Sequence, residues 1–222
     1  YMAVENGWFA DEGLSVEIVQ PSELGAEALV AGGSGEFGIS HQEATTFART
    51  AESPLPVVAI AALFQHNTSG YAAAADRGIE GPEDFAGKRY GGWGTDYEVA
   101  MLDAVMEPYG DSAEEVEIIN TGTMDFIVAL RREIDFNWIF YGWDGVRAEI
   151  EEFPIDYYPL TELDPRLDYY TPIVVTSEKF LDSDPHTVRA FLRALPRGYT
   201  ATADDPARGA AVLRKYPSEI GA

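Results

Sequence analysis

The chain has 222 residues, 46% of them hydrophobic and 24% charged, a composition that buries a core and is unlike that of disordered chains. Its 38 acidic residues against 15 basic leave a net charge of −23, which argues against nucleic acid and anionic membrane surfaces as partners. The absence of cysteine removes disulfides, thiolate nucleophiles and Cys-ligated zinc or iron–sulfur sites, and no apolar run approaches the ~20 residues of a membrane-spanning helix. No charged and apolar pattern of a secretory signal is visible, and Tyr1 runs directly into a helical pattern.

Residues 2–12 read as a helix stopped at Gly13, followed by Leu14, Val16 and Ile18 alternating as a strand. Pro21 and Ser22 lead into a short helix ending at Gly32 and Gly33, and 37–39 form a short buried strand. Ser40, His41, Gln42 and Glu43 open a helix through about Arg49, and the apolar run 55–63 predicts a strand covered on both faces. Strand and helix in alternation predict a parallel α/β sheet.

A polar loop over 65–70 precedes a second apolar segment at 71–75. Residues 82–88 give a short helix and turn, and 89–92 a strand. Thr95 and Glu98 form a capping box for a helix to about Met106. A strand follows at 116–118, and a helix at 124–132 with Phe126, Ile127 and Leu130 on its buried face. Next comes the most informative stretch, residues 136–145. Ile134, Phe136, Trp138 and Phe140 share one strand face, and Asp135, Asn137, Ile139 and Tyr141 the other. The strand ends at Gly142, where Trp143 and Asp144 open a helix to about Glu151, and strand-to-helix turns are where open α/β sheets bind ligands. A further strand at 172–175 precedes two helices that start with Asp-Pro, at Asp184 and Asp205; Val188, Phe191, Leu192 and Leu195 form the apolar stripe of the first.

The pattern divides the chain into one lobe of residues 1–72 and 174–222 and a second of 73–173. Two hinge crossings join them, with a ligand cleft expected between the lobes.

The segment Ala3-Val4-Glu5-Asn6-Gly7-Trp8-Phe9 with Glu12-Gly13-Leu14-Ser15-Val16 resembles the opening of bacterial ABC-transporter substrate-binding proteins for nitrate, sulfonates and thiamine precursors. Residues 82–88 are similar to the second-lobe entry of that superfamily. More specifically, Tyr90-Gly91-Gly92-Trp93-Gly94-Thr95 together with Trp138-Ile139-Phe140-Tyr141-Gly142-Trp143 resembles the ThiY-like branch, which binds pyrimidine precursors of thiamine. The resemblance implies a two-lobe periplasmic-binding-protein-like fold of type II. It also implies a monomer without cofactor on the extracellular face or in the periplasm, with an ABC permease as partner and lipid anchoring of the full-length precursor as one form of tether. Relatives carry a strand ahead of the position of Tyr1 and further elements beyond that of Ala222. The same superfamily includes the fungal thiamine-pyrimidine synthase, whose cysteine-rich iron site has no counterpart here.

Asp144 is the first site candidate, because a carboxylate can accept from an exocyclic amine and from a protonated ring nitrogen of an aminopyrimidine. Its alternative is a first-turn acid that favours the helix dipole. Glu98 is the rival carboxylate, with closure of the Thr95 cap an equally good reading. Trp93 has few neighbours between glycines and suits ligand stacking, while Gly92 would admit a ligand to the backbone. Trp138 and Phe140 are expected in the core, leaving Asn137 and Tyr141 for the pocket and Trp143 for either role. Thr95, His41, Gln42 and Asn67 complete the expected ligand-binding set, with Glu43, Gln65 and His66 beside them. His41, Glu43 and His66 lack the helical spacing of a metal site.

The favoured reading is a non-catalytic receptor for formyl-aminopyrimidine or hydroxymethylpyrimidine. The alternatives are a receptor for a flavin, another aromatic heterocycle or an alkyl sulfonate, and an enzyme of pyrimidine synthesis. Sulfonate would want helix N-terminal amides with Ser, Thr or Arg, whereas the turns here carry carboxylates. For an enzyme, the only lysines, Lys88, Lys179 and Lys215, lie away from the predicted turns.

An acidic surface with so little lysine suits concentrated salt, where self-repulsion is screened. The urea midpoint is therefore expected to rise between low and molar salt; a flat response would contradict this.

Overall fold

The computed structural model describes residues 1–19, 25–122 and 124–216, so Pro21 and Ser22 lie outside the described residues. In chain order the elements are helix α1 (Met2–Glu5), α2 (Trp8–Asp11), α3 (Gly25–Ala31), strand β1 (Phe37–Ser40), α4 (Gln42–Thr50), β2 (Val57–Ala62), β3 (Ser69–Ala74), β4 (Arg89–Gly92), α5 (Asp96–Met106) and β5 (Glu117–Asn120). They continue as α6 (Phe126–Arg132), β6 (Phe136–Phe140), α7 (Val146–Ile150), β7 (Ile155–Pro159), α8 (Leu160–Leu163), β8 (Ile173–Ser177), α9 (Glu178–Ser183), α10 (Pro185–Asp204) and α11 (Pro206–Leu213). The chain forms two compact α/β units, one of residues 1–40, 48–61 and 174–222, the other of 41–47 and 62–173.

The first unit contains a three-stranded sheet in the order β1-β8-β2. Its core is aromatic: Phe37 stacks on Phe191 at 3.9 Å and Phe9 on Phe191 at 5.2 Å between ring centroids. The helix expected over 2–12 is broken, because Gly7 adopts a left-handed φ of 71° and separates α1 from α2. Residues 14–19 form no strand. The Leu14 amide closes a turn onto the Phe9 carbonyl at 2.9 Å, and no strand pairs with the segment among the described residues. Nor is β2 covered on both faces: among the described residues it lies at the edge of its sheet, with Ala59 and Ala62 exposed.

The second unit carries a five-stranded sheet, β5-β4-β6-β3-β7. It is mixed: β4 runs parallel to β5 and β6, while β3 is antiparallel to β6 and β7. β3 is fully buried, hydrogen-bonded between β6 and β7. At Gly70 a Cβ would stand 2.4 Å from the Tyr158 carbonyl oxygen and 2.7 Å from the Tyr157 ring. One face of the sheet packs Tyr71, Phe85, Tyr90, Phe136, Leu102 and Met106; the other packs Ile127, Leu130, Ile134 and Ile139. Ile134 thus falls on the face opposite Phe136, because it precedes the strand and is outside its alternation.

Asp135 ties the strand starts together. It accepts from the Arg89 backbone N–H at 3.0 Å, from Arg89 Nη2 at 2.9 Å and from Arg77 Nη1 at 3.2 Å. The Arg89 hydrogen bond holds the Asp135 carboxyl below its ordinary value, against the opposing effect of burial. A depressed carboxyl stabilises the fold above the unfolded-state pKa and loses that contribution as pH falls through the folded one. Asp135→Asn is expected to cost about 1.5–3 kcal/mol in urea unfolding at pH 7, and the gap from wild type should narrow toward pH 3. A gap independent of pH would contradict the ion-pair account.

Candidate functional site

Because β4 and β6 are parallel and β3 is antiparallel to β6, one edge of the second unit collects the ends of β4, β5 and β6 with the start of β3. Trp93, Phe140, Asp144 and Asn67 all emerge there. The placement follows from strand direction.

β6 ends at Phe140 and passes into a single π turn over Tyr141–Gly145 before α7. Such turns recur at functional sites. Asp144 is half-buried, with the Phe140 backbone N–H near enough to favour its charged form. Burial raises its carboxyl above the ordinary value, with Arg147 opposing the shift and Asp125 adding to it. Phe140 is only half-buried, contrary to its expected core role. Its ring lies 5.6 Å from the His41 ring at an interplanar angle of 23°, and His41 Nδ1 lies 3.0 Å from Thr171 Oγ1.

The first turns of α4 run along this wall. Phe47 meets Tyr97 edge-on, and Tyr97 meets Trp138 edge-on at 6.2 Å. Tyr169 completes the group, its hydroxyl donating to Met101 Sδ at 4.0 Å; burial, then the Glu43 carboxylate, raise its pKa. Trp138 packs one side against the core as expected, yet its buried Nε1–H meets no acceptor among the described residues. A donor of this kind costs free energy unless something accepts from it.

Several expected ligand groups are committed within the protein. Asn137 Nδ2 donates to the Gly91 carbonyl at 2.9 Å, stitching β6 to β4. Asn67 Nδ2 donates to the Leu167 carbonyl at 2.9 Å, while its Oδ1 accepts from the Ser69 N–H and hydroxyl. The Gln42 side chain accepts from the Tyr170 N–H at 3.1 Å, and the Tyr141 hydroxyl donates to Glu149, away from Asp144. Glu98 is 2% exposed and accepts from Thr95, Trp93 and Tyr90. Gly92 offers no open approach to the backbone, since a Cβ there would stand 2.8 Å from the Tyr90 ring and 3.0 Å from Glu98 Oε1. Trp93 and Trp143 are 60% and 63% exposed. His66 pairs with Asp168 at 2.8 Å, and among the described residues no group of three His, Cys, Asp or Glu side chains is placed to hold a metal.

Phe140, Thr171, Tyr97, Tyr169 and the Trp138 indole N–H join the wall without having been singled out for it. Tyr97 carried a signal, as an aromatic in the first turn after a strand; Tyr169 and Thr171 carried none, since only the return of the chain brings them near α4.

A profile of the family described as NMT1/THI5 like matches residues 1–209. The formylaminopyrimidine-binding protein of Halalkalibacterium halodurans is 25% identical over 96% of this chain and 64% of its own length. The 4-amino-5-hydroxymethyl-2-methylpyrimidine phosphate synthase of Aspergillus parasiticus is 24% identical over 93% of this chain and 63% of its own. The chain therefore spans less than two thirds of these relatives. Among solved structures, the alkanesulfonate-binding protein SsuA of Xanthomonas axonopodis pv. citri, bound to MOPS, superposes with a TM-score of 0.74 at 13% identity, covering 98% of this chain and 75% of that one. No helix among the described residues is long and apolar enough to cross a membrane.

A carboxyl raised by burial makes its charged form a cost to the fold at pH values above its folded pKa. Asp144→Asn should therefore leave the urea midpoint at pH 7 unchanged or raised, with the difference closing as the pH falls toward 4. A loss of about 1 kcal/mol or more would make Asp144 a structural residue.

Proposed function

The chain belongs to the NMT1/THI5-like family, and from that premise we propose that it is a non-catalytic binding protein for a thiamine-type aminopyrimidine, of the formylaminopyrimidine or hydroxymethylpyrimidine kind. The observation that carries the reading is Asp144, a half-buried carboxylate with raised proton affinity in the turn that follows Phe140, whose ring stacks on His41. An aminopyrimidine offers that carboxylate an exocyclic amine and, when protonated, a ring N–H. The charged pair is the stronger form of the bond.

Aromatic stacking contributes about 1–3 kcal/mol per ring face by analogy with base stacking. Two faces and a paired carboxylate are consistent with micromolar affinity or better, about −8 kcal/mol. The Asp144 carboxylate disfavours an alkyl sulfonate as ligand. The binding-protein relatives support a solute receptor; delivery to an ABC permease, outside the cytoplasm and as a monomer, completes the proposal. The synthase relatives motivate a second reading as a pyrimidine-synthesis enzyme, for which the chain offers no cysteine.

Calorimetry with formylaminopyrimidine and hydroxymethylpyrimidine tests the proposal. At least one is expected to bind with a micromolar or lower Kd, weakened 10-fold or more in Asp144→Asn and weakening as acid protonates Asp144. No heat from either pyrimidine would overturn it.

A further inference from the structure

The turn after β4 holds an exposed tryptophan on a backbone that one buried carboxylate organises. Glu98, 2% exposed in the first turn of α5, accepts the Trp93 N–H on both oxygens at 3.0 Å. Its Oε2 also accepts the Thr95 N–H at 3.0 Å and the Thr95 hydroxyl at 2.8 Å, and its Oε1 accepts the Tyr90 hydroxyl at 2.9 Å. An N-terminal cap accounts for the Thr95 bonds. It does not account for the Trp93 bonds, which reach two residues further back. Every one of these partners is a neutral donor, and among the described residues no cation forms an ion pair with the carboxylate.

The flanking glycines make the arrangement possible. At Gly92 a Cβ would stand 3.0 Å from Glu98 Oε1, and Gly94 has a left-handed φ of 80° with its Cβ position 2.5 Å from Asn120 Nδ2. Trp93 is meanwhile 60% exposed, so packing does little to orient its indole. What holds the residue is its backbone, and Glu98 holds the backbone.

We propose that Glu98 is the positioning residue for Trp93: its carboxylate locks the 92–95 turn so that the indole is presented as a preformed stacking face for the heteroaromatic ligand. This rests on the aminopyrimidine-binding reading above. Preforming a stacking side chain removes the ordering cost from the binding step. Gln at position 98 would aim an amide donor at a ring of donors and release the turn, while leaving the side chain's volume unchanged.

Two measurements separate the clamp from the ligand's identity. Amide hydrogen exchange of Trp93 should be slow in wild type despite the exposure of the residue, and at least 10-fold faster in Glu98→Gln. Tyr90→Phe, which deletes a bond to Glu98 but none to the turn, should leave it within twofold. A Trp93 amide that exchanges freely in wild type, or equally slowly in Glu98→Gln, overturns the clamp. In the second measurement, formylaminopyrimidine is titrated into wild type, Glu98→Gln, Trp93→Ala and the double variant. Glu98→Gln should weaken binding at least fivefold with Trp93 present and less than twofold once Trp93 is Ala. Additive losses overturn the positioning role. Full affinity in Trp93→Ala overturns the role of Trp93 in binding while the exchange result still stands, and absence of binding by wild type overturns the parent reading alone.

Discussion

Much of the second unit depends on the carboxylate of Asp135, which gathers the start of β4 and the segment leading from β3 onto the start of β6. With the strand starts tied by charge-assisted hydrogen bonds, β4 and β6 leave the sheet side by side. Asn137 repeats the stitch one turn of the pleat further on, to the Gly91 carbonyl. Two turns, 92–95 and 141–145, therefore open at one edge of the sheet. The candidate chemistry is a consequence of that alignment.

That edge is rich in polar groups, but most of them are already in use. Asn67 holds the 167–169 return segment, Glu98 holds the Trp93 turn, and Asn137 holds the sheet. Subtracting these committed groups leaves a short remainder: the Asp144 carboxylate and the faces of Phe140 and Trp93. An acceptor with raised proton affinity and aromatic surface together suit a flat nitrogen heterocycle better than an anion or an aliphatic solute. The shell of committed groups is what keeps such a site rigid without ligand.

Local rules made β4 and its capping box legible, because 89–92 and Thr95 with Glu98 satisfy short-range requirements that nothing distant contests. The buried face of α6 and the strand at β6 were legible for the same reason. Failures came where partners decide. Residues 14–19 alternate correctly yet pair with no strand among the described residues, and β2 is apolar yet lies on an edge. The antiparallel β3 was invisible, since alternation of strand and helix says nothing of the direction of an individual strand. At the site, parity assigned Phe140 to the core with Phe136, although its position at the strand's last residue carries it past the packed layer. Asn137 and Asn67 look like ligand amides in sequence because a side chain's commitment to a distant carbonyl leaves no local trace.

The central claim is that Asp144, beside Phe140, reads the ligand. A crystal structure of the protein with formylaminopyrimidine tests it most directly. The account predicts the exocyclic amine about 3 Å from the Asp144 carboxylate, with the ring against the Phe140 side chain. A pyrimidine bound elsewhere, with Asp144 making no contact to it, would contradict the account.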